Sequence, residues 1–370
     1  MAEVKNLIVG CGLSGAIVAR NLADDGQEVF IIDKKEHIGG NIYDYRNEHG
    51  IMVHKYGPHI FHTNNKVVWD FLTRFTEWQP YFHKVLVFMD GQFVPLPFNL
   101  NTLHCVFPKS ISGKIEIKLI EKFGFNKKVP ILELVKTEDK DLRFLSQYIY
   151  ENIFFEYTKK QWGVAPDETD NSVLARVPVC VGCDDRYFQD KYQGVPMNGY
   201  TAMLQKMLDH KNIKVHLNTK FDGTFKYKNL FWTGSVDEFF GYKFGELPYR
   251  SIRFDFKTFC RDKFQISATV NYPTNYDFTR ITEYKYFLND KSENTTISYE
   301  YPSDFENGKN DRQYPIVNDS NTAIYAKYME LAKENPNVYF FGRLGDYKYY
   351  DMWAAAARAL EVYEKFIKKQ

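Results

Sequence analysis

Val4-Lys5-Asn6-Leu7-Ile8-Val9-Gly10-Cys11-Gly12-Leu13-Ser14-Gly15 opens the chain, and Val29-Phe30-Ile31-Ile32-Asp33 follows one helix-length later. The order strand, G-x-G-x-x-G, helix, strand, acid is what a dinucleotide-binding βαβ unit requires. Gly10 permits the tight turn out of the strand, Gly12 lets backbone approach a pyrophosphate, and Gly15 lets the helix pack close to the strands. Leu13 and Ser14 start that helix, where free N–H groups and the dipole favour an anion. Asp33 is placed to accept a ribose hydroxyl, which favours an unphosphorylated adenosine ribose. A second glycine pair follows in Ile38-Gly39-Gly40-Asn41. The unit predicts a large cofactor before anything is known of the substrate. Cys11, inside the loop, reads as a small filler.

The chain has 370 residues, enough for two or three domains. Lys plus Arg number 48 against 47 Asp plus Glu, a net charge of +1 that gives no support for a nucleic-acid or polybasic membrane role. No apolar run is long enough for a membrane span. The N-terminus runs straight into a core strand without a leader pattern, so a cytoplasmic protein is expected. Five cysteines argue against a disulfide framework, and Cys180-Val181-Gly182-Cys183 has no second ligand pair for zinc, so no metal is expected. The 31 Phe, 27 Tyr and 5 Trp exceed what helical core spacing absorbs; tyrosines beside arginines suit a pocket for a planar base and phosphates.

The pattern divides the chain into α/β with insertions. Val85 to Val94 reads as a hairpin turning at Asp90-Gly91. Ile111 to Phe123, Ile131 to Val135 and Leu142 to Tyr157 are helical in period, residues 166–200 are rich in Gly and Pro, and a helix at 200–210 with a strand at Ile213 to Leu217 returns to α/β character. Ser251 to Phe256, Ile266 to Asn271, Thr279 to Phe287 and Thr295 to Tyr301 alternate as strands of an antiparallel sheet. Val338 to Phe341 reads as a strand, Gly342-Arg343 as a turn and Met352 to Ile367 as an amphipathic helix. The expected architecture is a discontinuous Rossmann-like domain (1–78, 186–245, 317–370), an antiparallel sheet domain (79–100, 246–316) and a helical insertion (101–185).

Further stretches narrow the reading: Tyr56-Gly57-Pro58-His59-Ile60-Phe61-His62-Thr63, Tyr157-Thr158-Lys159-Lys160-Gln161-Trp162-Gly163, Tyr192-Gln193-Gly194-Val195-Pro196, Phe278-Thr279-Arg280 and Tyr347-Lys348-Tyr349-Tyr350-Asp351-Met352. With the glycine loops, these motifs in this order resemble the bacterial UDP-galactopyranose mutases over essentially the whole chain. The resemblance implies a FAD-binding, helical and sheet domain, FAD active when reduced, a homodimer, and an external reductant such as NAD(P)H or a reductase. It implies ring contraction of UDP-galactopyranose to UDP-galactofuranose, a furanose precursor for cell-surface polysaccharide, without net redox change; an N-acetylated or other UDP-hexose stays open as the sugar. In that reaction reduced flavin N5 attacks the anomeric carbon, UDP leaves, and the sugar closes its smaller ring before UDP returns.

By motif matching, the resemblance implies that Arg176, in the family's mobile loop, and Arg280 bind the diphosphate, a role suited to the guanidinium fork. Tyr187, Tyr314 and Tyr349 match diphosphate-bonding tyrosines. Tyr157, Thr158 and Trp162 match the uridine- and sugar-facing segment, with Phe154 or Phe155 stacking on uracil. Asn271 matches a nucleotide contact and Arg250 a substrate-facing position, whereas His83 stands where some relatives have Asn. On the cofactor side, His59 and Ile60 match flavin-contacting backbone, His62 the reactive flavin edge, and Phe221 and Arg343 further flavin contacts. Tyr350, Asp351 and Met352 lie at the last helix N-terminus, where N–H groups can stabilise reduced flavin. The rival reading is a FAD-dependent oxidoreductase acting on a sugar or amine; it shares the cofactor loops but needs no diphosphate clamp.

Overall fold

A computed structural model describes residues 3–163 and 178–368. Five parallel strands form the central sheet in the order Ile213–His216, Val29–Ile32, Val4–Val9, Tyr227–Trp232, Val338–Phe340. Val4–Val9 sits in the middle with Leu7 and Ile8 fully buried, which is why it reads as a continuous apolar run. Its one buried polar side chain, Asn6, is satisfied across the sheet: it donates to Gln27 Oε1 at 3.1 Å and accepts from Asn229 at 3.0 Å. The chain goes from Val4–Val9 to the strand on one side and later returns on the other. That reversal opens a crevice at the strand ends, where open α/β sheets bind ligands. Leu13–Asp24 packs beside Met352–Ile367 and Gly199–Leu208, and their apolar residues share one core.

A seven-stranded sheet stands beside this unit, in the order Tyr314–Pro315, Tyr249–Phe259, Thr295–Asp304, Arg280–Glu283, Thr269–Asn271, Val85–Met89, Gln92–Leu96. It is mixed, not purely antiparallel: Thr269–Asn271 pairs parallel with Val85–Met89, because the hairpin comes from a distant part of the chain. The hairpin turn has Asp90 at φ 50° and Gly91 at φ 75°, the left-handed pair that fits strand twist. Pro95 is tolerated in Gln92–Leu96 because that strand is at the sheet edge. The hairpin's buried face shares a core with the helical segment from Leu100 to Phe154.

Three expectations need correction. The helix expected over Leu142 to Tyr157 is an α-helix, Lys140–Ile149, a π-helical turn, Tyr150–Phe155, and a second α-helix, Glu156–Trp162. The strand expected over Thr279 to Phe287 stops at Glu283, and Lys285–Leu288 is a helical turn. The Gly- and Pro-rich stretch before residue 200 contains Tyr192–Pro196, the middle strand of a small sheet with Phe61–Thr63 and Trp78–Pro80. Gly194 is required there by close packing, since a Cβ would lie 2.8 Å from the Gln79 carbonyl oxygen.

Candidate active site

A cleft of about 640 Å³ lies at the carboxyl ends of the parallel strands. Its floor is the two glycine loops. Gly10 takes φ +106°, and a Cβ there would lie 1.9 Å from Thr233 Oγ1; one on Gly15 would lie 2.1 Å from the Gly10 carbonyl oxygen. The Gly39 N–H donates to the Cys11 carbonyl at 2.8 Å, and Gly12 and Gly39 form a parallel bridge. The loops are therefore bonded edge to edge, leaving a trough where a pyrophosphate can reach backbone. Leu13–Asp24 begins at Gly12 without a side-chain cap, so its first N–H groups remain for a ligand.

Asp33 and Phe221 line one end of the cleft. The Asp33 carboxylate accepts the Cys11 N–H at 2.7 Å on one oxygen and the Lys35 N–H at 2.9 Å on the other; each keeps a lone pair for a hydroxyl. His59, Arg343 and Met352 line the cleft too, while Ile60 is buried in the core. Met352–Ile367 starts at Asp351, again without a side-chain cap, placing a second helix N-terminus at the site. Tyr350 contributes its carbonyl to Arg343 at 2.7 Å. A glycine trough, an acid and two uncapped helix starts fit FAD.

The three histidines of the 54–62 stretch do separate jobs. His54 accepts the His59 N–H on Nδ1 at 3.0 Å, and His59 Nδ1 donates to the Gly57 carbonyl at 2.8 Å. Burial drives both down to about 3, so both are neutral. His62 lies flat on Phe188, ring centres 3.5 Å apart, and its Nδ1 donates to Asp190 Oδ2 at 2.7 Å. Asp190 is in turn held by Asn64, at 2.5 Å.

The dispersed arginines and tyrosines converge. Arg280 donates to the Tyr157 hydroxyl at 2.7 Å and faces Glu300 at 3.5 Å. Burial opposes the guanidinium charge, but Glu300 and Tyr157 outweigh it. Tyr187, pushed up to about 12 chiefly by burial, lies within electrostatic reach of Tyr157, Arg280, Tyr349 and Asp351. Tyr314 and Tyr349 stack with ring centres 5.2 Å apart. Asn271 pairs with Arg280 in the strand register, so the two share a face of the sheet, and its Oδ1 is buried without a partner among the described residues.

Not every expected residue joins this group. Arg250 is committed to the chain itself, bonding the carbonyls of Lys160 and Gln161 and the Asp304 carboxylate. Phe154 is buried in the helical core, while Phe155, one position on, is only half-buried. Thr158 is buried; Arg176 and the side chain of Trp162 lie outside the described residues. Two groups went unassigned in the sequence. His83, set aside there, is buried and driven down to about 3 by burial, with Arg280 and His62 as charged or ionisable neighbours; its Nδ1 has no partner among the described residues. Glu300 is 2% exposed. It shares its strand face with Thr296 and Ser298, so no break in an apolar pattern marks it in the sequence.

The parallel sheet with its glycine trough, carrying an inserted sheet and helices, defines a dinucleotide-binding flavoenzyme fold. Residues 152–349 match the family model described as UDP-galactopyranose mutase, and residues 8–75 that of an NAD(P)-binding Rossmann-like domain. The chain is 40% identical over 367 residues to "Probable UDP-galactopyranose mutase" of Klebsiella pneumoniae, covering 98% of this chain and 94% of that one. It is 38% identical over 376 residues to dTDP-fucopyranose mutase of Escherichia coli, with 98% of each covered. A crystal structure of reduced UDP-galactopyranose mutase superposes with a TM-score of 0.75 at 15% identity, covering 99% of this chain and 96% of that one. The chain belongs to the UDP-galactopyranose mutase family, whose members are pyranose–furanose isomerases.

Proposed function

We propose that this protein interconverts UDP-galactopyranose and UDP-galactofuranose with reduced FAD in the glycine cleft. The carrying observation is Arg343, which lines that cleft while its guanidinium carbon stands 5.2 Å from the Tyr314 ring centre and 5.5 Å from that of Tyr349. Cofactor cradle and arginine–tyrosine cluster are thus contiguous, as a reaction between a flavin and a diphosphate sugar needs. Bound and reduced, FAD supplies at N5 the nucleophile for the anomeric carbon.

The chain's own residues do the rest. Arg280 keeps a fixed positive charge where negative charge grows on the departing diphosphate. Tyr187 and Tyr314, both raised by burial, remain protonated at neutral pH and donate to phosphate oxygens without adding charge. A cation flanked by neutral donors holds UDP close enough to return. Phe155 is the half-buried ring available to the base, and neutral His59 lines the cofactor cleft. An amine-oxidising flavoenzyme would have no use for this cluster.

The test is anaerobic incubation of chemically reduced protein with UDP-galactofuranose. Conversion to the pyranose is expected without stoichiometric use of reductant, and the oxidised protein should be inactive. Equal turnover in both redox states, or none in either, overturns the reading.

A further inference from the structure

The sequence motif places Arg250 near substrate, yet its side chain is 6% exposed and its guanidinium is directed at the chain. Nε donates to the Gln161 carbonyl at 3.0 Å, Nη2 to the Lys160 carbonyl at 3.1 Å, and Nη1 to Asp304. Those carbonyls are at the C-terminal end of Glu156–Trp162, where the last turn of a helix leaves acceptors unmet and the dipole favours a cation. Gly163 closes the helix at φ +74°, and its N–H takes the Lys159 carbonyl at 2.8 Å. A Cβ on Gly163 would lie 2.7 Å from Arg250 Nη1, so glycine cap and arginine interlock.

We propose that Arg250 is a positioning residue that clamps this helix end to the strand Tyr249–Phe259 and so holds Tyr157 at its 2.7 Å bond to Arg280. The helix needs such a clamp. It follows the π-helical turn Tyr150–Phe155, which breaks its register from the helix anchored in the core. Among its described side chains, only Thr158 is buried. The clamp is also wired to the site. In the strand register Arg250 pairs with Tyr314 on one side and Asp304 on the other, so one strand position fixes the Tyr157 helix against the Tyr314 side of the cluster. The inference rests on the proposed reading of that cluster as a diphosphate site.

The experiment compares FAD-loaded wild type, Arg250→Ala, Arg250→Lys, Gly163→Ala and the Arg250→Ala/Gly163→Ala double variant. UDP affinity, flavin content, kcat and KM are measured for each. Loss of two or three charge-assisted bonds should weaken UDP binding and raise KM by about tenfold to a hundredfold, with flavin content unchanged. Arg250→Lys should recover part of the affinity, because one ammonium can serve a single carbonyl. Gly163→Ala should reproduce the defect with Arg250 intact. The double variant should be no worse than Arg250→Ala beyond about twofold, since both changes release one helix end. Wild-type UDP affinity in Arg250→Ala overturns the proposal. So do additive effects, which would make Arg250 a direct substrate contact. Should Arg250→Ala fail to fold, the lysine and Gly163→Ala variants decide in the same way. UDP affinity is read without turnover, so a wild type that fails to isomerise galactose would remove the family reaction while leaving the clamp to be judged on binding alone.

Discussion

Arg280→Ala is the sharpest perturbation of the proposed site. The guanidinium now bonds Tyr157 at 2.7 Å and faces Glu300 at 3.5 Å, which leaves N–H donors for a diphosphate. A hydrogen bond to a charged group contributes about 1.5–3 kcal/mol, so losing two costs about 3–6 kcal/mol, or roughly 10²- to 10⁴-fold in kcat/KM. Glu300 limits the structural damage. Burial already lifts its carboxyl, with Arg280 and Thr282 pulling it back; without Arg280 it can take up a proton in place of standing as an unpaired buried charge. The variant should therefore fold, and it should retain flavin, because the glycine cradle does not involve Arg280. Arg280→Lys should recover only part of the loss, since an ammonium cannot serve Tyr157, Glu300 and a phosphate in the plane of a fork. The assay is steady-state turnover of reduced protein, with flavin content measured on the same sample. Turnover within a few-fold of wild type would remove Arg280 from the diphosphate site. Loss of flavin would show that cleft and cluster are not independent.

Gly10→Ala should yield protein with little bound flavin, because the new Cβ meets Thr233 Oγ1 at 1.9 Å and the backbone holds φ +106°; normal flavin content would refute the tight-trough reading. Acid should destabilise the fold well above the carboxylate range. His54, His59 and His83 are neutral down to about 3 when folded but take protons near the ordinary histidine value of 6.5 when unfolded. In that window the unfolded state binds more protons, so stability falls as pH drops, by about 1.4 kcal/mol per pH unit for each histidine. Urea midpoints between pH 7 and 5 should show this slope, and His83→Gln should cut it by about a third; an unchanged slope would mean His83 titrates normally. Finally, UDP-6-deoxygalactose should react at least about a hundredfold less efficiently than UDP-galactose, measured as the ratio of kcat/KM.

The nucleotide unit was legible because its constraints are local. Gly10, Gly12, Gly15 and Asp33 each answer a need of one turn or one strand end, and the apolar runs on either side are buried on both faces. The hairpin at Asp90-Gly91 was readable for the same reason. Elements set by distant partners were not. Tyr192–Pro196 is a strand only because Phe61–Thr63 and Trp78–Pro80 flank it, and its Gly and Pro content argued locally for a loop. The π-turn at Tyr150–Phe155 keeps the helical period nearly intact while shifting which side chain faces the core, so Phe154 and Phe155 could not be told apart beforehand. At the site, the resemblance supplied the arginines and tyrosines as residue types, but Arg250 shows the limit of matching. Its position is beside the site, and its donors point at a helix end. His83 and Glu300 carried no motif; both matter through burial beside Arg280, which only three dimensions display.

Under the proposed function, that last class of residue would bear on substrate choice. The relatives at 40% and 38% identity carry names with different bases and different sugars, so overall similarity does not choose between them. Fucose is galactose without its 6-hydroxyl. An apolar pocket discriminates poorly for or against one hydroxyl, whereas a pocket with buried polar atoms awaiting that hydroxyl strongly rejects the analogue that lacks it. Among the described residues His83 Nδ1 and Asn271 Oδ1 are both buried and unmatched, and both adjoin Arg280, His83 electrostatically and Asn271 by strand register. Each unmet buried group costs about 1–3 kcal/mol, a cost that a hydroxyl-rich sugar seated there would remove and a deoxy sugar would leave in place. His83 is neutral, so it can donate or accept without repelling Arg280 or adding to its charge. Under the proposed function, a sugar seated beside Arg280 would meet two polar side chains there, and the deoxy-sugar comparison tests whether they select the fully hydroxylated hexose.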